Sequence, residues 1–220
     1  MHPRTRRASP LPPHERRTAI LRAVRPVLLE RGAAVTTKEL AQAAGVAEGT
    51  LFRVFEDKLA LVREAVLAAV DPADDVPAVR AIPRDLPLED RVRSVMEIGL
   101  ARSADSMRWM SILHEAVRAA CAVPGPDAHE RMRGFAQRQE AGQAELRIAV
   151  EELLAPDAAR FARPLVDVVD LMTATLMGVT VLRVDAQRRG TTARVPGLDV
   201  LADHFLHGAL ARPTAEPGGS

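Results

Sequence analysis

Apolar residues along this chain of 220 residues recur three and four apart for most of its length, the period of helices that bury one face. Ile20, Leu21, Val24, Val27 and Leu28 predict a first helix over 14–31, with Pro26 as an expected kink and Gly32 as a left-handed stop. Residues 37–70 divide into three short helical units. The stretch DPADDVPAVRAIPRDLP at 71–87 is dense in Pro and Asp and predicts a linker. Beyond it the pattern is helical again: 88–123 as two helices breaking near Ser103–Ser106, then 128–154, the markedly apolar 164–189, and 198–212 after a loop. The run GVTVLRV at 178–184 is β-branched enough to pass for a strand, but its helical surroundings favour a buried helix. The expected fold is all-α: a three-helix N-terminal domain at 14–70, the linker, and a larger helical domain at 88–212. Residues 1–13 and 213–220 are expected to be a disordered basic arm and a disordered tail.

Composition narrows the function. Hydrophobic residues make up 47% of the chain, ample for a core. The net charge of +1 hides an asymmetry: residues 1–58 hold 11 Lys and Arg against 6 Asp and Glu, a local +5, which leaves −4 for the rest. A basic quarter on a mildly acidic body suggests that one end meets a polyanion. Aromatic residues are 3% of the chain and Tyr is absent, which argues against stacking on single-stranded nucleic acid. The apolar stretch 171–182 is short of the ~20 residues a bilayer span needs, and no signal-peptide core follows the basic start. A cytoplasmic protein with no membrane contact is expected. Cys121 is the one cysteine, so an intrachain disulfide is excluded.

The segment VTTKELAQAAGVAEGTLFRVFEDK at 35–58 carries the specific chemistry. Thr36 and Glu39 have the spacing of a capping box, with Val35 and Leu40 flanking it. A helix starting at Thr37 can run only to Ala44, because Gly45 supplies a positive φ for a tight turn. A small residue at Ala41, glycine at 45 and an aliphatic at Leu51 is the spacing of a helix-turn-helix, whose second helix at about 48–54 would enter the major groove.

Thr37, Leu40, Ala41, Ala44, Gly45, Val46, Gly49, Thr50, Leu51, Phe55, Asp57, Lys58 and Leu61 together resemble the DNA-binding signature of the TetR family of bacterial regulators. The resemblance covers residues 15–65 by motif, and the rest only by helix pattern and length. It implies a dimer that binds a double-stranded, palindromic operator and responds to a small-molecule effector, most simply as a repressor. Thr37, Lys38, Ala47, Glu48, Gly49, Thr50, Phe52, Arg53 and Lys58 are the candidate DNA-binding residues. Three departures matter: Ala47 replaces a Ser/Thr cap, Phe52 a tyrosine, and Val54 a His or Tyr. Arg53, Lys38, Arg4, Arg6, Arg7, Arg16 and Arg17 are expected to compensate electrostatically. Lys58, just after the capping Asp57, is expected to clamp a phosphate. The stripe Leu59, Val62, Val66 and Val70 is expected to face the body and couple the two domains.

In the body, Met96, Met107, Trp109, Met110, His114, Phe135, Gln139, Met172 and Met177 are candidates for an effector pocket, since Met adapts to irregular shapes and Trp and His supply polar handles. The resemblance implies that the last two helices pair with those of a second chain. The apolar residues Leu165, Val168, Val169, Leu176, Val179 and Leu182, with Leu201, Phe205, Leu206 and Leu210, are the candidates for that interface. His204 and His207 are three apart but lack a third ligand nearby, and neither a metal nor another cofactor is expected. No nucleophile elbow, phosphate loop or zinc cluster points to an enzyme. A DNA-binding dimer without a ligand and a transcriptional activator remain as alternatives.

Overall fold

Helix periodicity is realised throughout the structure, a computed structural model that describes residues 12–120 and 128–209. Among these residues there are nine α-helices and no strand. They fall into two units, 1–70 with 109–124, and 71–108 with 125–220. Residues 1–11 of the expected arm at 1–13, with Arg4, Arg6 and Arg7, the whole expected tail at 213–220, and Cys121 and Leu210 lie outside the described residues.

In the first unit α1 (Pro13–Arg31) opens with proline, which needs no amide partner at a first position. It runs on through Pro26. Proline offers no amide to the Arg22 carbonyl, and both residues are exposed. Gly32, at φ +60°, ends the helix. Ile20, Val24 and Leu28 form its buried face. Short helices α2 (Thr37–Ala43) and α3 (Glu48–Val54) follow, then α4 (Lys58–Ala69). Val35, Leu40, Leu51, Phe55, Leu61, Val62 and Val66 complete the core of this unit. Of the stripe expected to face the body, Val62, Val66 and Val70 are buried, and α4 packs on α1.

In the second unit the stretch read as a linker is folded. A 3-10 turn at Pro72–Asp75 leads into α5 (Val76–Arg80), and both pack on α7 (Ala128–Leu154). Val76, Val79 and Ile82 are core residues, so the prolines start and stop short helical turns rather than mark free chain. The expected break near Ser103–Ser106 does not occur: α6 (Leu88–Ala119) is one helix, and after Gly99 it contains neither glycine nor proline to interrupt it. Gly142 of α7 is buried against the turn, where a Cβ would lie 2.7 Å from Asp71 Oδ1 and 3.0 Å from Ala73 N.

Arg91 ties the ends of α6 and α7 together. It is buried and donates to the carbonyls of Leu86 (3.0 Å) and Leu153 (2.6 Å) and to the Asp157 carboxylate. Helices α8 (Leu165–Arg188) and α9 (Leu198–Ala209) close the core. The β-branched run 178–184 is helical, as expected. By length and composition α8 would reach across a bilayer. The same helix gives Val168, Val169, Met172, Leu176 and Val179 to the core, and 33% of its most apolar window is buried.

Candidate DNA-reading face

The turn between α2 and α3 is set by three local features. Thr36 Oγ1 accepts from the Glu39 amide (3.2 Å), and a Glu39 carboxylate oxygen accepts from the Thr36 amide (2.8 Å), a complete capping box. Those hydrogen bonds from Thr36, aided by Arg31 and Lys58, hold the Glu39 carboxyl below the usual glutamate range. Gly45 sits at φ +66°, and the Val46 amide reaches back to the Ala41 carbonyl at 3.0 Å, which closes the turn. Ala41 is buried, and its small side chain leaves room for α3 to approach.

Helix α3 has a weak start. Its cap, Ala47, offers no side-chain acceptor, and the Thr50 amide takes the Ala47 carbonyl at 2.9 Å instead. Leu51 and Phe55 face inward and anchor it. The opposite side presents Glu48, Gly49, Phe52 and Arg53 to solvent, with Ala47 and Lys38 also exposed. Thr37 and Thr50 are half-buried. Phe52 is 40% exposed, the large apolar residue on an otherwise polar face.

Its end is held by Arg17 of α1, a residue expected to act on phosphate. One guanidinium nitrogen donates to the carbonyl of Val54, the last residue of α3, at 2.6 Å. Nε donates to Glu64 of α4 at 2.7 Å, and the other terminal nitrogen donates to the same carboxylate. The group also lies over the Phe55 ring, 4.6 Å from its centroid. The sequence hint is spacing alone: Arg17 stands three before Ile20, on the buried side of α1. Lys58 is also turned inward. Its ammonium donates to the Ala33 carbonyl at 3.0 Å from a half-buried position, which ties the start of α4 to the turn after α1. The lysine thus braces the fold with one of its three donors. Asp57 caps Ala60 N at 2.6 Å, as its position predicts.

The candidate effector residues fall in both units. Trp109, Met110 and His114 belong to the first unit; Met96, Met107, Phe135, Gln139, Met172 and Met177 belong to the second. Met96 and Met172 fill the core, whereas Met110, His114 and Met177 face solvent. Of the candidate interface residues, Val168, Val169, Leu176, Val179, Leu201 and Leu206 are core of their own chain, and Leu165 and Phe205 pack against it. Leu182 alone among the described ones is well exposed, at 56%. Sequence reasoning passed over the residues beside it: Val166, Leu171 and Val181 of α8 and Val200 of α9 are exposed. An apolar helix inside a core gives no sign, from periodicity alone, of which face lies outward.

Residues 20–65 match the bacterial regulatory proteins of the tetR family. No curated protein matches the sequence. Solved structures share the fold. A TetR transcriptional regulator from Streptomyces coelicolor is 24% identical, with a TM-score of 0.50 over 90% of this chain and 99% of that one. A Mesorhizobium loti protein assigned to the TetR-family transcriptional regulators is 15% identical, with a TM-score of 0.56 over 92% of this chain and 100% of that one. The superantigen PfiT is 16% identical, with a TM-score of 0.53 over 91% and 98%. The last shows that this fold alone does not fix a function.

Proposed function

We propose that this chain, whose residues 20–65 match the bacterial regulatory proteins of the tetR family, is an operator-binding repressor. Two copies bind a palindromic duplex, α3 of each reads one half-site, and a small, largely apolar effector releases them. DNA reading falls to residues 14–70, and effector and dimer functions fall to 88–212.

The observation that carries this reading is the outward face of α3, where Glu48 and Arg53 stand free of the core while Leu51 and Phe55 hold the helix from behind. Carboxylate and guanidinium are suited to cytosine N4 and to guanine O6 and N7. Dimerisation is supported by the exposed apolar row Leu171, Val181 and Leu182 on α8, with Ala174 and Gly178 between them where a second helix could approach closely. Because Met96 and Met172 already fill the core, an apolar effector would have to part them on entry.

Selection from a random duplex pool tests the reading directly. A two-fold symmetric site, bound by two chains, is the expected result; an asymmetric site bound by one chain would refute it. The double variant Leu171→Glu, Leu182→Glu should sediment as a monomer and lose the palindromic preference. Apolar small molecules that raise the melting temperature should also lower operator affinity, since a ligand acts only through its differential affinity for the two states.

A further inference from the structure

On the outward face of α3 the side chains do not form a uniform polar strip. Between Glu48 and Arg53 stand the exposed Gly49 and Phe52, an apolar notch in the charge pattern of the face. Gly49 is exposed, and a Cβ built there would meet nothing within 4 Å, so the space above its backbone is open. Phe52, three residues on, lies on the same side of the helix, with its ring more than 4 Å from that Cβ position. The ring is 40% exposed although the other Phe of this segment, Phe55, is buried at 2%. Phenylalanine has no hydroxyl to give to a phosphate, so a polar contact with the DNA backbone is closed to it. Exposing a phenyl ring on a soluble domain costs free energy unless it has an apolar partner in the bound state.

The major groove offers one apolar group at base edges, the 5-methyl of thymine, and phenylalanine is among the side chains that meet it. Resting on the operator reading above, we propose that Phe52, with the open Gly49 backbone beside it, is a specificity-determining residue that reads a thymine methyl in each half-site. Glu48 and Arg53 flank the notch, so the thymine lies among the base pairs they read.

The test removes the methyl from the DNA and the ring from the protein separately. After selection of a bound duplex, each thymine of one half-site is replaced in turn by deoxyuridine, which lacks only that methyl. At one position wild-type affinity should fall about fourfold, the equivalent of one buried methyl group. Phe52→Ala should bind the thymine duplex more weakly and show no further loss with deoxyuridine, while Phe52→Leu should keep part of the discrimination. Matching circular dichroism melts for the three proteins would establish that they are equally folded; should the Ala variant melt early, the Leu variant carries the comparison. A thymine-to-deoxyuridine ratio unchanged by Phe52→Ala and Phe52→Leu, or no sensitive thymine in the wild-type site, would overturn the assignment and leave the operator reading intact. Selection of no duplex above the random pool would overturn the operator reading and this assignment with it.

Discussion

Arg17 offers the sharpest test of how the recognition helix is held. Replacing it with Met keeps much of the stem and removes the guanidinium, so three interactions are lost at once. Arg17 and Glu64 side chains are 42% and 32% exposed, which limits their ion pair to about 0.5 kcal/mol. The bond to the Val54 carbonyl has a charged donor but is partly wetted, so about 1 kcal/mol is appropriate. The position over Phe55 adds about 0.5 kcal/mol. Together these amount to about 2 kcal/mol, a ceiling because one side chain supplies all three and they are not independent. Amides of α3 should exchange with solvent faster in Arg17→Met, since Ala47 gives the helix no compensating cap. Operator affinity should fall while its slope against salt stays as in wild type, because no phosphate contact has been removed. Arg17→Lys keeps the charge without the fork and should recover only part of the loss. A slope shallower by about 1 per chain, with α3 exchange unchanged, would show that Arg17 binds phosphate and refute the positioning role.

Four further outcomes follow from the packing. Thr36→Ala should cost about 1 kcal/mol by removing the capping box, read as a lower denaturation midpoint; because the Glu39 carboxyl is held low mainly by Thr36, Glu39→Gln should matter above the ordinary glutamate range and converge with wild type as pH falls through the lowered value. Gly142→Ala should lower the melting temperature by the equivalent of about 1 to 2 kcal/mol, since the added carbon meets the Ala73 amide and the Pro72 ring, and the gain in helix propensity offsets only part of this. Asp157→Asn should cost about 2 kcal/mol at neutral pH by leaving Arg91 buried without its carboxylate, less than for a fully buried pair because Asp157 is partly exposed. Hydrogen bonds from Arg160 and then Arg91 hold the Asp157 carboxyl low, so the wild-type advantage is present above the ordinary aspartate value and disappears as pH falls through the lowered one. Asp75 has the opposite sign: burial pushes its carboxyl up despite Arg102, so stability it lends while protonated is lost as pH rises, and Asp75→Asn should melt no lower than wild type at pH 7.

The helix-turn-helix was legible because every feature that defines it is local. A capping box spans four residues, the glycine turn another few, and the inward Leu51 and Phe55 follow from helical spacing; the structure has all of these where the sequence puts them. Features that depend on distant partners were not legible. Pro and Asp at 71–87 look like free chain until α7 arrives beside them with a bare Gly142 and gives Val76, Val79 and Ile82 a place in the core. In α8 apolar residues occur on several faces, so the sequence marks an unusually apolar helix without telling core from interface; the buried set is Val168, Val169, Met172, Leu176 and Val179, and the exposed set begins at Val166 and Leu171.

The same distance problem applies to the cations, and here it changes the functional argument. Charge counting treats Arg17 and Lys58 like Lys38 and Arg53, as positive groups available to DNA. Their partners, Glu64 and Val54 for Arg17 and the Ala33 carbonyl for Lys58, lie 25 or more residues away, and no local rule reveals them. Arg17 gives three of its five N–H groups to protein oxygens and Lys58 one of its three, so each has fewer donors left for a phosphate. On the proposed operator binding, the cations best placed for phosphate are the exposed Lys38 and Arg53. A protein with few such contacts loses affinity less steeply as salt rises. Under that proposal, discrimination would fall more heavily on what α3 presents outward, Glu48, Gly49, Phe52 and Arg53, than on charge alone.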